Sequence, residues 1–261
     1  MPRNCYRVTF HLDGSGIYFD PLEPIHLDAL LAWHFAPLQD LRHLDRSVAP
    51  GDVRLPVVTS RINGHLVYHA SALFPIGPTG ESVWYWRKRF RTSRCELATG
   101  SPNITNGTYR DWQMPLPLLL CRRMVAYVRG PRREIRRALE GIRYLGKKRA
   151  HGHGKVLGFE IDQVDQDYSL VMDGRAMRWL PMPRGPRLTR PRPPYWHPMG
   201  RVECCEVGDE FNLPREDGYG SGKFFSLSVR RKEERRAQGH GRQASPVADE
   251  IPDDIPFCWR T

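Results

Sequence analysis

Gly130-Pro131-Arg132-Arg133-Glu134-Ile135-Arg136-Arg137-Ala138-Leu139-Glu140-Gly141-Ile142, running on through Arg143-Tyr144-Leu145 into Gly146-Lys147-Lys148-Arg149-Ala150-His151-Gly152-His153-Gly154-Lys155, is the stretch on which the fold turns. Ile135, Ala138, Leu139 and Ile142 fall at i, i+3, i+4 and i+7, the stripe of an amphipathic helix, and Pro131 suits its first turn. The polar face of that helix carries Arg132, Arg133, Arg136, Arg137 and Arg143. Met124 to Arg129 alternates before it as a strand, and Lys155 to Ile161 reads as a strand after the glycine-rich loop.

Working outward, Cys5 to Leu12 places Tyr6, Val8, Phe10 and Leu12 on one face and Arg7, Thr9 and His11 on the other, as a half-buried strand does. Gly14 and Gly16 end it. Between Pro24 and Phe35, Leu27, Leu30, Leu31 and His34 stand at helical spacing, which predicts a mostly buried helix with Pro24 near its start and Pro37 beyond its end. Val53 to Val58 and His65 to Phe74 read as extended, with Asn63-Gly64 supplying the positive φ values of a tight turn. Strand, helix, paired strands, helix, strand is the order of an α+β protein with a ferredoxin-like (RRM-like) βαββαβ core, insertions, and the glycine-rich loop before its last strand.

Trp84 to Thr92 alternates in its own way, with Trp84, Trp86, Lys88 and Phe90 opposing Tyr85, Arg87, Arg89 and Arg91. Alternation sends Trp84, Trp86 and Phe90 into the core and leaves Arg87, Arg89 and Arg91 as the exposed half. Ser93 to Trp112 reads as a long polar loop, and Pro115 and Pro117 argue against a central strand after it. Tyr168 to Met172 and Ala176 to Leu180 suggest a short hairpin around Asp173-Gly174. Pro181 to Pro198, with seven prolines among Arg184, Arg187, Arg190 and Arg192, reads as an extended arm that crosses a surface and forms no core. Val202 to Val207 and Phe224 to Val229 could be strands around a Gly218-to-Gly222 turn, before a charged helical stub at Arg230 to Arg236 and a loosely ordered acidic end. The expected division is residues 1–180 as a ferredoxin-like RNA-binding domain with insertions and 181–261 as a Pro/Arg-rich, β-containing C-terminal extension.

The 261 residues carry 40 Lys and Arg against 29 acids, a formal charge of +11. Between Trp84 and Lys155 there are 18 Lys and Arg against 4 acids, net +14, so the remaining 189 residues are net −3. A basic centre of this kind favours a polyanionic partner, nucleic acid before an anionic membrane, over an acidic small substrate. Met1-Pro2-Arg3-Asn4-Cys5 leads straight into the first strand without the apolar run of a secretory signal, and no apolar stretch reaches the length of a membrane span, so the expected compartment is the cytoplasm. Cysteines at 5, 95, 121, 204, 205 and 258 include no Cys-x-x-Cys. They predict buried or free thiols, with neither zinc nor disulfide, and nothing in the sequence calls for a cofactor.

The glycines at 146, 152 and 154 let the loop backbone approach a ligand closely, while Lys147, Lys148, Arg149 and Lys155 add fixed positive charge and His151 and His153 adjustable donors. Phosphate is the natural occupant. The spacing matches neither nucleotide-binding fingerprint, and the loop follows a helix and precedes a strand, the reverse of their order. His151 or His153 beside Lys147, with Tyr144 nearby, could also supply the acid and base for metal-independent RNA cleavage through the 2′-hydroxyl. No Ser-His-Asp elbow, paired-carboxylate pattern or His-Glu-x-x-His motif appears.

Two segments, Ile25-His26-Leu27-Asp28-Ala29-Leu30-Leu31-Ala32 and Ile142 to Val156 with its glycine-rich loop, resemble the RAMP-superfamily subunits of CRISPR effector complexes, above all the Cas5-like subunit of type IV systems. The resemblance covers roughly the first 160 residues, and residues 181 to 261 match no pattern. It implies a non-catalytic subunit that holds the crRNA 5′ handle and caps the backbone filament of a ribonucleoprotein for DNA targeting in antiviral defence. The RNA-binding residues it implies are Arg87, Arg89, Arg91, Arg143, Gly146, Lys147, Lys148, Arg149, His151, Gly152, His153, Gly154 and Lys155. Partners would be crRNA, the backbone subunit, a large or small subunit, and target DNA near the PAM, with no membrane. The sibling reading is a Cas6-like endoribonuclease processing pre-crRNA with His151, His153, Tyr144 and Lys147. A general RNA-binding factor is the third.

Overall fold

The computed structural model describes residues 4–20, 22–39, 47, 50–89, 103, 105, 106, 110–147 and 149–213. Over these residues the chain is α+β, mostly sheet with two α-helices. The expectations for Phe90, Arg91, Cys95, Lys148, Cys258, most of the Ser93-to-Trp112 loop and everything after Leu213 lie outside those residues.

The strand read at Cys5–Leu12 is β1, and the turn after it leads into β2 (Ile17–Tyr18) and α1 (Leu27–Gln39). The helix runs on through Pro37, which was expected beyond its end, and forgoes only the backbone donor that proline lacks. Next come the hairpin β3 (Thr59–Ile62) and β4 (His65–Tyr68), turned at Asn63 (φ 47°) and Gly64 (φ 82°), and then β5 (Phe74–Pro75). Val53 to Val58, expected to be extended, forms no strand. It contributes Val53, Leu55 and Val57 to the core as irregular chain.

β6 (Thr79–Lys88) and β7 (Trp112–Cys121) pair along ten residues each, from Thr79 opposite Cys121 to Lys88 opposite Trp112. The prolines at 115 and 117 therefore sit within a strand after all. β2 pairs with β7 only at Leu118 and Leu119, so beside the prolines β7 is an edge, where a missing N–H does no harm. β8 (Arg123–Arg129), α2 (Arg132–Leu139) and β9 (Val156–Gln163) complete the part from which the fold was read.

One antiparallel sheet has the order β5-β8-β1-β9. Tyr6, Val8, Phe10 and Leu12 of β1, with Met124, Ala126 and Val128 of β8, share one core with Leu27 and Leu31 of α1 and Ile135, Ala138 and Leu139 of α2. Both helices thus cover the same face, and each fully buried aliphatic or aromatic side chain there contributes about 1.5–3 kcal/mol. A second sheet, β2-β7-β6, stands apart as a ribbon whose outer strand is exposed over most of its length.

The C-terminal part differs most from expectation. β10 (Val171–Met172) and β11 (Arg175–Ala176) form the hairpin at Asp173-Gly174, and β12 (Arg187–Thr189) pairs with β13 (Val202–Cys204). The proline-rich arm does not merely cross a surface: Arg190, Pro191, Pro193, Pro194, Tyr195 and His197 are buried. The anchor is Arg178, wholly buried before the arm begins, which donates to the carbonyls of Tyr68 (2.6 Å), Ala70 (2.8 Å) and Pro191 (2.6 Å) and pairs with Asp28 of α1 at 2.9 Å. Tyr195 donates its hydroxyl to the same carboxylate at 2.8 Å. Burial pushes the Asp28 carboxyl up, and the Arg178 charge and the Tyr195 bond oppose it.

Candidate functional site

α2 ends at Leu139, short of the Ile142 and Arg143 expected on it, and the glycine-rich loop that follows is fastened at both ends by its own backbone. Leu145 N–H donates to the Gly154 carbonyl (2.8 Å) and Val156 N–H to the Arg143 carbonyl (2.9 Å), while Tyr144 bridges to Lys155. The loop is also fastened to the β1–β2 turn. Gly154 N–H donates to Gly16 O (2.8 Å), Ser15 Oγ to Gly152 O (3.0 Å) and Asp13 N–H to Lys155 O (3.2 Å), and Lys147 bridges to Tyr18.

Two of the three glycines are required by this docking. Gly146 has φ +78°, and a Cβ there would stand 2.8 Å from Tyr18 O and 2.9 Å from Ile17 Cγ2. Gly154 has φ +70°, and a Cβ would overlap the Leu145 carbonyl. Gly152 also has positive φ, +85°, but faces open space, so only its turn geometry asks for glycine.

Between these fixed points a short 3-10 turn, Arg149–His151, carries side chains outward. Arg149 lies over the Trp33 ring of α1 at 5.2 Å and Lys147 over the Tyr18 ring at 5.2 Å, distances at which an aromatic face orients a cation. Burial, with Asp20 and Glu23 adding to it, pushes the Tyr18 hydroxyl above its ordinary value, so that ring stays neutral beneath the lysine. Arg143, Arg149, His151 and Lys155 are exposed. His153 is buried at 9% exposure, with Nδ1 donating to the Ser15 carbonyl at 3.3 Å.

Lys147, Arg149, His151, Gly152, His153, Gly154 and Lys155 thus share one surface with Arg143 at its edge, whereas Arg87 and Arg89 do not join it directly. β6 belongs to the ribbon and not to the four-stranded sheet, and Trp84 is the residue that meets the loop, with ring centroids 5.0 Å from both His151 and His153. Arg87 lies on the opposite face, 5.8 Å over Tyr85. Trp84 and Trp86 are not core residues, as alternation had suggested. Both are only partly buried, and Trp86 packs edge-on against Trp112 at 4.2 Å, because among the described residues no helix covers that face of the ribbon as α1 and α2 cover the four-stranded sheet.

Sequence reasoning missed Ser15, Tyr18 and Trp33 as parts of this surface, and for Trp84 it favoured the core. The Gly14-Ser15-Gly16 turn was the one available signal, since two glycines around a serine mark a close backbone approach as well as a strand end. Among the described residues no cluster of His, Cys, Asp or Glu could hold a metal ion, and no helix is long and apolar enough to cross a membrane. Cys5, Cys121, Cys204 and Cys205 are buried free thiols, with Cys204 pushed up to about 12 by burial.

None of the curated proteins matches the chain. The family model described as CRISPR type IV associated protein Csf3 matches residues 86–206. The matched span starts later than the resemblance seen in the sequence, leaving out α1, and ends later, taking in the proline-rich arm. It contains β8, α2, the glycine-rich loop and Arg178, and over that span the chain is similar to the type IV CRISPR associated protein Csf3.

Proposed function

We propose that this chain is the crRNA-binding, Cas5-like subunit of its type IV complex, with a ferredoxin-like core, and that the loop from Gly146 to Lys155 cradles the 5′ handle at the capped end of the backbone filament. The observation that carries the reading is the loop itself. Its glycines are used up in fastening the backbone to β2 and the β1–β2 turn, which presents Lys147, Arg149, His151 and Lys155 on a fixed frame beside an exposed aromatic ribbon. A fixed frame of cations meets phosphates without an ordering cost, and aromatic rings accept unpaired bases. The sheet order β5-β8-β1-β9, antiparallel with two helices on one face, supports the ferredoxin-like assignment. The basic centre of the sequence, with Arg143 at the edge of the loop, supports RNA over an acidic protein partner. Neighbouring subunits, and target DNA near the PAM, complete the proposed setting in the cytoplasm.

The test is binding of labelled repeat RNA across a salt series in EDTA. A site neutralising six phosphates gives a slope of log affinity on log salt of about −4, and Lys147→Ala with Arg149→Ala lowers it by about 1.4. Affinity indifferent to salt overturns the proposal. Intact RNA is the expected product; a cyclic-phosphate end would replace it with the Cas6-like endoribonuclease reading.

A further inference from the structure

The contact between the ribbon and the loop holds a group with nothing to bond. His153 Nδ1 donates to the Ser15 carbonyl, which leaves the lone pair on Nε2. Nε2 is buried, and no donor among the described residues reaches it. A buried acceptor in that state calls for an explanation, and a ligand that brings the missing donor is one. The ring packed edge-on against the imidazole is Trp84, itself only partly buried and carried on a strand exposed along most of its length. The same ribbon face continues through Trp86 and Trp112, and Lys147 and Arg149 stand on the loop beside it.

We infer that Trp84 and His153 form a subsite for one unstacked nucleotide of single-stranded RNA, the indole turning off the imidazole to stack the base while a donor of that nucleotide reaches His153 Nε2. The donor is a base amino group or the ribose 2′-hydroxyl. The flat apolar ring selects a base, the acceptor selects a hydrogen-bond donor, and the flanking cations take its phosphates. This inference rests on the RNA-binding reading above and adds to it the residue that meets a base and the residue that reads a donor.

The experiment compares two probes of equal length: a six-nucleotide oligo(A) RNA, and the same ribose-phosphate chain without bases. Trp84→Leu is expected to weaken the first by about 5- to 150-fold, the effect of one stacked base, and the second by less than about twofold. Trp84→Phe keeps a ring, holds oligo(A) to within a few-fold, and controls for folding together with a thermal melt. Equal losses on both probes, or no loss on either, overturn the subsite, because Trp84 would then be packing only. Lys147→Ala must weaken both probes alike. If wild-type protein binds neither probe, the RNA-binding reading itself fails and this inference with it. For the acceptor, oligo(dA) and an RNA of unsubstituted purine separate the two donors. One of them should bind several-fold more weakly than oligo(A), and the difference should vanish in His153→Phe; no difference for either overturns the Nε2 contact.

Discussion

Alanine at Gly154 and at Gly152 should have very different consequences, although both glycines have positive φ and lie two residues apart. At Gly152 the new methyl meets open space. The cost is the left-handed backbone, about 1–2 kcal/mol, partly offset by about 0.4–1 kcal/mol from the stiffer unfolded chain. At Gly154 the same backbone cost is joined by overlap with the Leu145 carbonyl, the acceptor end of a residue whose N–H is bonded to Gly154 O. The overlap is relieved only by moving the loop off, which breaks the Leu145 N–H to Gly154 O and Gly154 N–H to Gly16 O bonds at about 1 kcal/mol each. Gly154→Ala should therefore cost about 2–3 kcal/mol and Gly152→Ala about 1 kcal/mol or less. Urea denaturation followed by circular dichroism measures both. Should the loop peel away on its own, the urea midpoint holds while amide exchange at Leu145 and Gly154 accelerates and repeat-RNA affinity falls. Indistinguishable midpoints, exchange rates and RNA affinities in the two variants would refute the claim that Gly154 is fixed by close approach.

Arg178→Met should destabilise the chain by about 3–5 kcal/mol in the same denaturation assay, because it leaves the wholly buried Asp28 carboxylate without its counter-charge. Adding Asp28→Leu should recover most of that, and an unrecovered loss would mean that the arginine acts by packing alone. Asp167 offers a pH prediction: burial pushes its carboxyl up, but hydrogen bonds from His69 (2.7 Å) and Ser169 outweigh this and hold it at about 2. A depressed carboxyl stabilises the fold above its unfolded value near 4 and loses that contribution as pH falls toward 2. The loss is at most about 2 kcal/mol, since the side chain is 20% exposed. Asp167→Asn should be less stable at neutral pH and show a shallower acid limb, and equal limbs would contradict the assignment.

The elements that carry their own periodicity were legible in the sequence. β1 needed only alternation and turned out where it was read, as did the turns at Asn63-Gly64 and Asp173-Gly174; α2 begins where its stripe predicts but stops at Leu139, so Ile142 reaches the core from the chain after the helix. What failed were the places where a neighbour decides. Pro115 and Pro117 exclude a strand flanked on both sides, and the ribbon accepts them because β2 is two residues long. The arm from Pro181 to Pro198 has the composition of a solvated spacer. It is buried because Arg178 supplies the charge-assisted donors that the Pro191 carbonyl and the Tyr195 hydroxyl require, and no window of the arm's own sequence contains that arginine.

The same distinction separates the readable from the unreadable half of the site. Glycines among cations announce a loop that approaches something closely, and the loop does so, but what Gly146 and Gly154 approach is the protein's own backbone at Tyr18 and Leu145. Their role is to fix the frame, and the outward role falls to Lys147, Arg149, His151 and Lys155. Alternation likewise sorted Trp84 from Arg87 correctly, yet it assigns a residue to a face and says nothing of what lies behind that face. In a sheet backed by helices, the tryptophan side would have been core. On this ribbon it faces the loop, so Arg87, which looked like part of the functional half, is turned away from it, and the ring that looked structural is the one in contact with His151 and His153.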